Sequence, residues 1–237
     1  MPLLASRRVP HVFMAGERIY LKDGLRMPSV TTVLGATADK AWLERWIARV
    51  GEEEAERIKT AAAFRGTLLH TRMENLLLHQ LEPAQELIQR EPEVVEQLWQ
   101  GLRPVLDRIS DVHLVEGQTW NVTEYGAYCG TIDLVARIDD GPLRILDLKT
   151  ATRPKPKEWC GEHILQLAFY SGSFNHTYAD EGVQVLAGGL LVVDEQSRRC
   201  QVHLIDEDEL ETAKWAAFSR LERYFANKGS APMPCTA

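Results

Sequence analysis

The run from Gly130 to Thr150, G-T-I-D-L-V-A-R-I-D-D-G-P-L-R-I-L-D-L-K-T, constrains the fold more than any other stretch. Two apolar segments flank Asp139-Asp140-Gly141, a turn signal. A three-residue loop with Gly in the left-handed position is a favoured hairpin connection. That loop pairs Ile138 with Pro142 and, counting outward, Asp133 with Asp147. A four-residue loop would put Leu148 opposite Asp133 and turn Asp147 to the other face, because side chains alternate along a strand. Lys149, two residues beyond Asp147, shares its face. The second strand is apolar at both parities, Leu143 and Ile145 against Leu146 and Leu148, as in a strand covered on both sides. Carboxylates opposed at about 4.5–5.5 Å between Cβ atoms repel. Burying them is costly unless they are paired or bind a cation. A shared divalent cation would reverse the sign; a solvated hairpin with idle charges is the other reading.

The chain has 237 residues, of which 45% are hydrophobic, enough to bury a real core. The expected organisation is one domain over 1–237, with a helix-rich part 29–110, a core 112–226 and a flexible tail 227–237. No apolar run approaches the roughly 20 residues of a membrane helix. The N-terminal M-P-L-L-A-S-R-R has no secretion-signal core. Cys129, Cys160, Cys200 and Cys235 are far apart with no C-x-x-C pair. They read as free thiols of a reducing compartment, so a cytoplasmic location is expected. The net charge of −7 argues against a protein that coats nucleic acid in bulk. Yet Arg144 to Lys157 holds five basic residues and one acid, Asp147, and a local patch can still hold a phosphate backbone.

Residues 11–22 alternate enough for a small hairpin around Ala15-Gly16. Ser29 is a good N-cap for a short helix to about Leu34. Residues 39–50 read as a helix with Trp42, Trp46 and Val50 on one stripe. Core packing is the expectation for that stripe, with base stacking by an exposed Trp the other reading. Residues 52–79 read as a long helix with Phe64, Leu68, Leu69, Met73, Leu76 and Leu77 inward. His70 and Glu74 share one of its faces. Gly66 inside it costs about 1 kcal/mol against Ala, which points to a close approach by backbone or ligand. Residues 84–109 read as one or two helices interrupted around Pro92 and Pro104, and 112–124 as strand. Glu116 there is either an exposed strand charge or a further carboxylate near the hairpin.

Arg153-Pro154-Lys155-Pro156-Lys157 must be extended, since each Pro turns its predecessor away from helix. It sets three cations beside the hairpin's end, as a solvated loop or as contacts to phosphates. Residues 158–178 form a helix on which Gln166 and Tyr170, four apart, look at the hairpin. Strands at Val183–Val193 and Cys200–Ile205 and a closing helix at Glu207–Phe225 complete an α/β architecture, a central mixed β-sheet flanked by helices.

Four motifs stand in order: R-G-T-x-x-H at Arg65–His70, G-x-x-D at Gly130–Asp133, D-x-K-T at Asp147–Thr150 and Q-x-x-x-Y at Gln166–Tyr170. Any one alone is weak; together they resemble the PD-(D/E)XK nucleases, in particular the RecB-like exonuclease branch. P-S-V-T-T-V-L from Pro28 and K-T-x-x-x-P-K-P from Lys149 are similar to the mitochondrial genome maintenance exonucleases. The resemblance implies a restriction-endonuclease-like core and a metal-dependent DNA exonuclease. It implies a preference for single strands with free ends, in replication, repair or recombination. Asp133, Asp147, His70 and, by analogy, the carbonyl of Leu148 would hold one or two ions of Mg²⁺ or Mn²⁺. The carboxylates suit hard cations, and the imidazole makes Mn²⁺ as acceptable as Mg²⁺. Lys149 would position or help deprotonate the attacking water; Gln166 would orient Lys149 or a phosphate, with Tyr170 bracing it. DNA contacts would come from Ser29, Thr31, Arg65, Thr150, Arg153, Lys155 and Lys157. The wide cysteine spacing gives no iron–sulfur cluster of the kind some relatives carry. Three alternatives stay open: a double-strand-resecting exonuclease, an inactive DNA-end-binding module and a metal-stabilised structural domain.

Overall fold

The computed structural model describes residues 3–79, 81–83 and 88–229. Cys235, most of the expected tail and the start of the expected 84–109 helices lie outside the described residues.

Two sheets form. The small one is an antiparallel meander of β1 (His11–Met14), β2 (Glu17–Lys22) and β3 (Leu25–Pro28). Its first turn, Ala15-Gly16, has positive φ at both residues, the geometry that matches strand twist in a two-residue hairpin. The large sheet runs β4 (Ile109–Thr123), β5 (Gly126–Ile138), β6 (Arg144–Ala151), β7 (Ala187–Asp194) and β8 (Cys200–Ile205) in sequence order. Only β6 and β7 are parallel, so the sheet is mixed as expected.

Helices cover both faces. On one lie α1 (Val30–Thr37), α5 (Gly161–Thr177) and α6 (Glu207–Asn227). There Val135, Ile145, Leu190 and Val192 of the sheet join Leu167, Phe169 and Phe174. On the other lie α3 (Glu52–His79) and α4 (Glu93–Leu106). There Leu134, Leu146, Leu148, Leu191 and Val193 join Leu69, Met73, Leu98 and Leu102. The strict alternation along β6 and β7 explains their unbroken apolar sequence: both parities are buried. Each such side chain contributes roughly 1.5–3 kcal/mol, so the middle of the sheet is the firm part of the molecule. α2 (Ala41–Val50) lies against α3 with no buried residue.

Several expectations need correction. At the β5–β6 turn it is Asp139 and Asp140, at φ 51° and 56°, that are left-handed, and Gly141 is not. Gly141 N–H donates to Ile138 O at 3.0 Å, which closes a two-residue turn; Asp tolerates positive φ better than most residues. The expected register survives, because the second strand carries one extra residue past that turn. Trp42, expected in the core, is 63% exposed, and Phe64, expected inward, is 53% exposed. Helical period places such residues on one stripe but says nothing of what covers the stripe. Pro104 does not interrupt α4; it stands in the last turn, where it costs one i→i−4 hydrogen bond and the helix ends two residues later.

Candidate active site

Three neighbouring strands bring three carboxylates side by side. β5 and β6 pair at Leu134↔Leu146, Val135↔Ile145 and Ala136↔Arg144. Asp133 and Asp147 come next in that register, one step past the last paired residues. The ladder stops there, and Asp133 Oδ2 accepts the Leu148 N–H at 2.8 Å. On the other side, β4 and β5 pair at Val115↔Leu134 and Gly117↔Ile132, so Glu116 and Asp133 fall opposite each other. Glu116 has φ 46°. A left-handed non-glycine residue in a strand costs on the order of 1–3 kcal/mol and persists only where its surroundings hold it.

α3 supplies the fourth group. Leu69 and Met73 bury its inner stripe and so fix the rotation of the helix, which brings His70 to the carboxylates. His70 Nδ1 lies 3.0 Å from Glu116 Oε1 and 3.6 Å from Asp133 Oδ1, and Nε2 lies 3.2 Å from Leu148 O. Donor atoms of His70, Glu116 and Asp133 all fall within 4.8 Å of one another.

Asp147 is fully buried, with Lys149 Nζ at 2.5 Å from Oδ2. Neither of its oxygens has a hydrogen bond of good geometry among the described residues. Such a carboxylate is costly as it stands. Burial raises the pKa of Asp147 despite Lys149, and that of Asp133 despite His70 and Lys149. Burial also pulls on His70, but the Glu116 hydrogen bond and the charges of Asp133 and Glu116 outweigh it and push the imidazole up to about 9. Lys149 is raised likewise, burial being outweighed by Asp147 and Asp133. A negative cluster is thus compensated by proton-bearing groups. Oxygen donors with one imidazole, crowded and incompletely bonded, are the chemistry of a divalent-cation site.

Behind the row, Gln166 Nε2 donates to Tyr170 Oη at 2.9 Å, and both side chains are buried. A Cβ at Gly130 would lie 2.6 Å from the Tyr170 ring, so the glycine of G-x-x-D makes room for the tyrosine of Q-x-x-x-Y. Burial, then the charges of Asp147 and Asp133, raise the Tyr170 pKa well above the ordinary phenol value; its hydroxyl stays protonated.

The expected DNA contacts are scattered by comparison. Ser29 is buried, and its Oγ accepts the Thr32 N–H at 2.9 Å and meets the Thr31 and Thr32 hydroxyls. It caps α1. Thr31 is exposed and Thr150 half-buried. Arg65 is paired with Glu195 at 2.8 Å. Arg153 is exposed, its guanidinium 5.9 Å from the Trp159 ring centroid. Lys155 Nζ meets His163 Nε2 at 3.2 Å. Lys157 is already neutralised by the Glu209 carboxylate and donates to Leu204 O as well. The structure brings Glu116, whose role the sequence left open, to His70 and Asp133, and it places His163 beside Lys155, a neighbour the sequence pattern does not mark. The residue facing Asp133 across β4 follows only once the β4–β5 turn is placed at Glu124-Tyr125, which puts 116 and 133 opposite each other.

Residues 40–233 match the model of the PD-(D/E)XK nuclease superfamily. The chain belongs to that superfamily, and its mixed sheet flanked by helices is the corresponding fold. No curated protein matches the chain, and the narrower likeness to mitochondrial genome maintenance exonucleases finds no support here. Several solved structures are distantly similar, these two among them. SSO0001 is 18% identical over 86% of this chain and 77% of its own, with a TM-score of 0.43. A protein of Eubacterium rectale named as a candidate exonuclease is 13% identical over 73% of this chain and 70% of its own, with a TM-score of 0.47. Among the described residues no helix is long and apolar enough to cross a membrane.

Proposed function

We propose that this nuclease is a divalent-metal-dependent DNA exonuclease that prefers single strands with free ends. The observation that carries the reading is the row Glu116, Asp133 and Asp147 on adjacent strands, closed by His70 and Lys149. Asp133, Asp147 and His70 would hold the cation, with the Leu148 carbonyl beside them and Glu116 as a fourth side chain. When bound, Mg²⁺ or Mn²⁺ supplies positive charge against the phosphoryl oxygens and acidity for the attacking water.

The remaining work falls to the chain. Lys149, held at Asp147, offsets the charge that builds on the phosphate and orients the water for in-line attack. Gln166 steadies Lys149 through its carbonyl oxygen, or a phosphate oxygen through the second N–H of its amide, the first donating to Tyr170 Oη. Arg65, Thr31, Thr150, Arg153 and Lys155 would contact the strand. α2 and the first half of α3 would arch over the sheet, with Trp42 stacking on bases, and a narrow arch favours one strand over a duplex. The parts 29–110 and 112–226 would then work as one nuclease domain.

The deciding experiment compares end-labelled linear single strand, circular single strand and blunt duplex of equal length, with Mg²⁺, Mn²⁺ or EDTA. Cutting of the linear single strand alone, abolished by EDTA, is expected. Rapid cutting of the circle would make the protein an endonuclease, and equal rates on the duplex would favour a resecting enzyme. No cutting in any metal would overturn the reading.

A further inference from the structure

The loop after β6 carries three cations, and each meets a different fate. Lys157 is neutralised by Glu209. Arg153 lies over Trp159 in solvent. Lys155 alone turns inward. Its N–H donates to Gln201 Oε1 at 2.8 Å and its carbonyl accepts from His203 Nε2 at 2.8 Å, so β8 fixes its backbone from both directions. Its Nζ reaches His163 Nε2 at 3.2 Å. An ammonium can only donate, so Nε2 accepts and the imidazole proton sits on Nδ1. The pair therefore presents an ammonium and a ring N–H, both donors. Among the described residues neither has a carboxylate within ion-pair distance.

The electrostatic surroundings agree. Burial, then the charges of Lys149 and Lys155, push His163 down to about 4, and only Asp147 pulls the other way. Asp147 is itself taken up by Lys149. Lys149 is thus taken up by the carboxylates of the row, whereas Lys155 and the neutral His163 have none within ion-pair distance among the described residues, and an oxyanion is what this pair lacks. His163 also lies three residues before Gln166 on α5, so the same helix carries both this pair and the Gln166–Tyr170 brace.

We propose that Lys155 and His163 form a phosphate subsite that grips a backbone phosphate neighbouring the one being cut, setting the register of the strand over the carboxylates. The proposal rests on the nuclease reading above and adds a subsite to it. An exposed basic loop would bind through all three cations alike; this subsite makes Lys155 and His163 matter and Lys157 not.

The test is fluorescence anisotropy of a labelled single-stranded oligonucleotide over a salt series, with Ca²⁺ as the only divalent ion. Lys155→Ala should bind about tenfold more weakly, as for one lost charge-assisted contact. Its log–log salt slope should be shallower by about 0.7, the increment of one phosphate. Lys155→Arg should restore the slope, His163→Ala should weaken binding several-fold, and Lys157→Ala should match the parent. Melting curves accompany each variant. A Lys155→Ala protein that melts early but keeps the parental affinity and slope would show the pair to be a brace for the loop only. If the parent cuts DNA while Lys155→Ala and Lys157→Ala behave alike, the subsite falls and the nuclease reading stands. If the parent neither binds nor cuts, both fall.

Discussion

α3 is one helix in two environments. Its second half buries Leu69, Arg72 and Met73 against the sheet and α4. Its first half, from Glu52 to Phe64, buries only Ala55 and ends on an exposed Phe64. α2, packed on that first half, buries nothing. The same secondary structure therefore serves two purposes. Where the helix is packed, a side chain can be held to fractions of an ångström, and there it presents His70. Where it is not packed, its local stability is low, and an apolar surface including Trp42 and Phe64 is left for something outside the fold. Precision belongs to the packed half and adaptability to the free half, which is what a site with a fixed reaction centre and a flexible polymer substrate requires.

The sharpest way to break that division is at the packed end. Asp133→Asn keeps an acceptor for the Leu148 N–H and loses the charge. Cleavage of an end-labelled single strand should fall by at least about a thousandfold, while the metal-free protein melts where the parent does. Activity within tenfold of the parent would mean the row is not the reaction centre. Glu116→Gln comes next. A carboxylate beside a ligating imidazole typically matters by about 10–100-fold in metal affinity, and calorimetric titration with Mn²⁺ should show a loss of that size. An unchanged titration would return Glu116 to the status of a strand charge.

That Glu116 was hard to see is instructive. Strongly periodic segments were legible: α3 and β8 have the bounds their patterns dictate, and the β5–β6 register agrees with the alternation although the turn that sets it is built differently from the expected one. The hairpin could be reasoned outward from Asp139-Asp140-Gly141 because that turn is chemically marked. β4 is joined to β5 by Glu124-Tyr125, which carries no comparable mark, so the partner of Asp133 on that side stayed open. The left-handed φ of Glu116 is likewise invisible, since it is imposed by the tertiary setting against the residue's own preference. The exposed apolar side chains Trp42 and Phe64 mislead for a different reason: amphipathic pattern predicts a buried face only when a partner exists, and here the described residues supply none. The three loop cations look equivalent in sequence, and their partners on β8, α5 and α6 separate them.

At the free half, the comparison is sharpened by two substitutions on either side of it. Trp42→Ala should weaken single-strand binding about tenfold, the scale of one lost base stack, and leave the melting temperature alone. Leu69→Ala should destabilise the fold by about 2–5 kcal/mol. Binding by anisotropy and unfolding by denaturant together check the pair. If Trp42→Ala unfolds early with normal affinity, the arm is a core element in disguise and the division along α3 is wrong.

The smallest effect is a pH dependence, and its sign is specific. In the metal-free fold His70 rises from the ordinary 6.5 to about 9. A raised base contributes stability that is fully present below the unfolded value and is lost as pH climbs through the folded one. Asp133 and Asp147, whose pKa values are also raised, act in the same direction, since their protonated forms are favoured in the fold. The melting temperature of the metal-free protein should therefore drop between about pH 6.5 and pH 9 by several degrees, on the scale of ~2–4 °C per kcal/mol for a chain of this size. A cation reverses the slope: a ligating imidazole must lose its proton, so Mn²⁺ should bind more tightly and protect more strongly as pH rises over the same window. His70→Gln should flatten much of the metal-free curve and weaken the pH dependence of Mn²⁺ protection. Parallel slopes with and without Mn²⁺ would remove His70 from the set of ligands and leave it as the partner that orders Glu116.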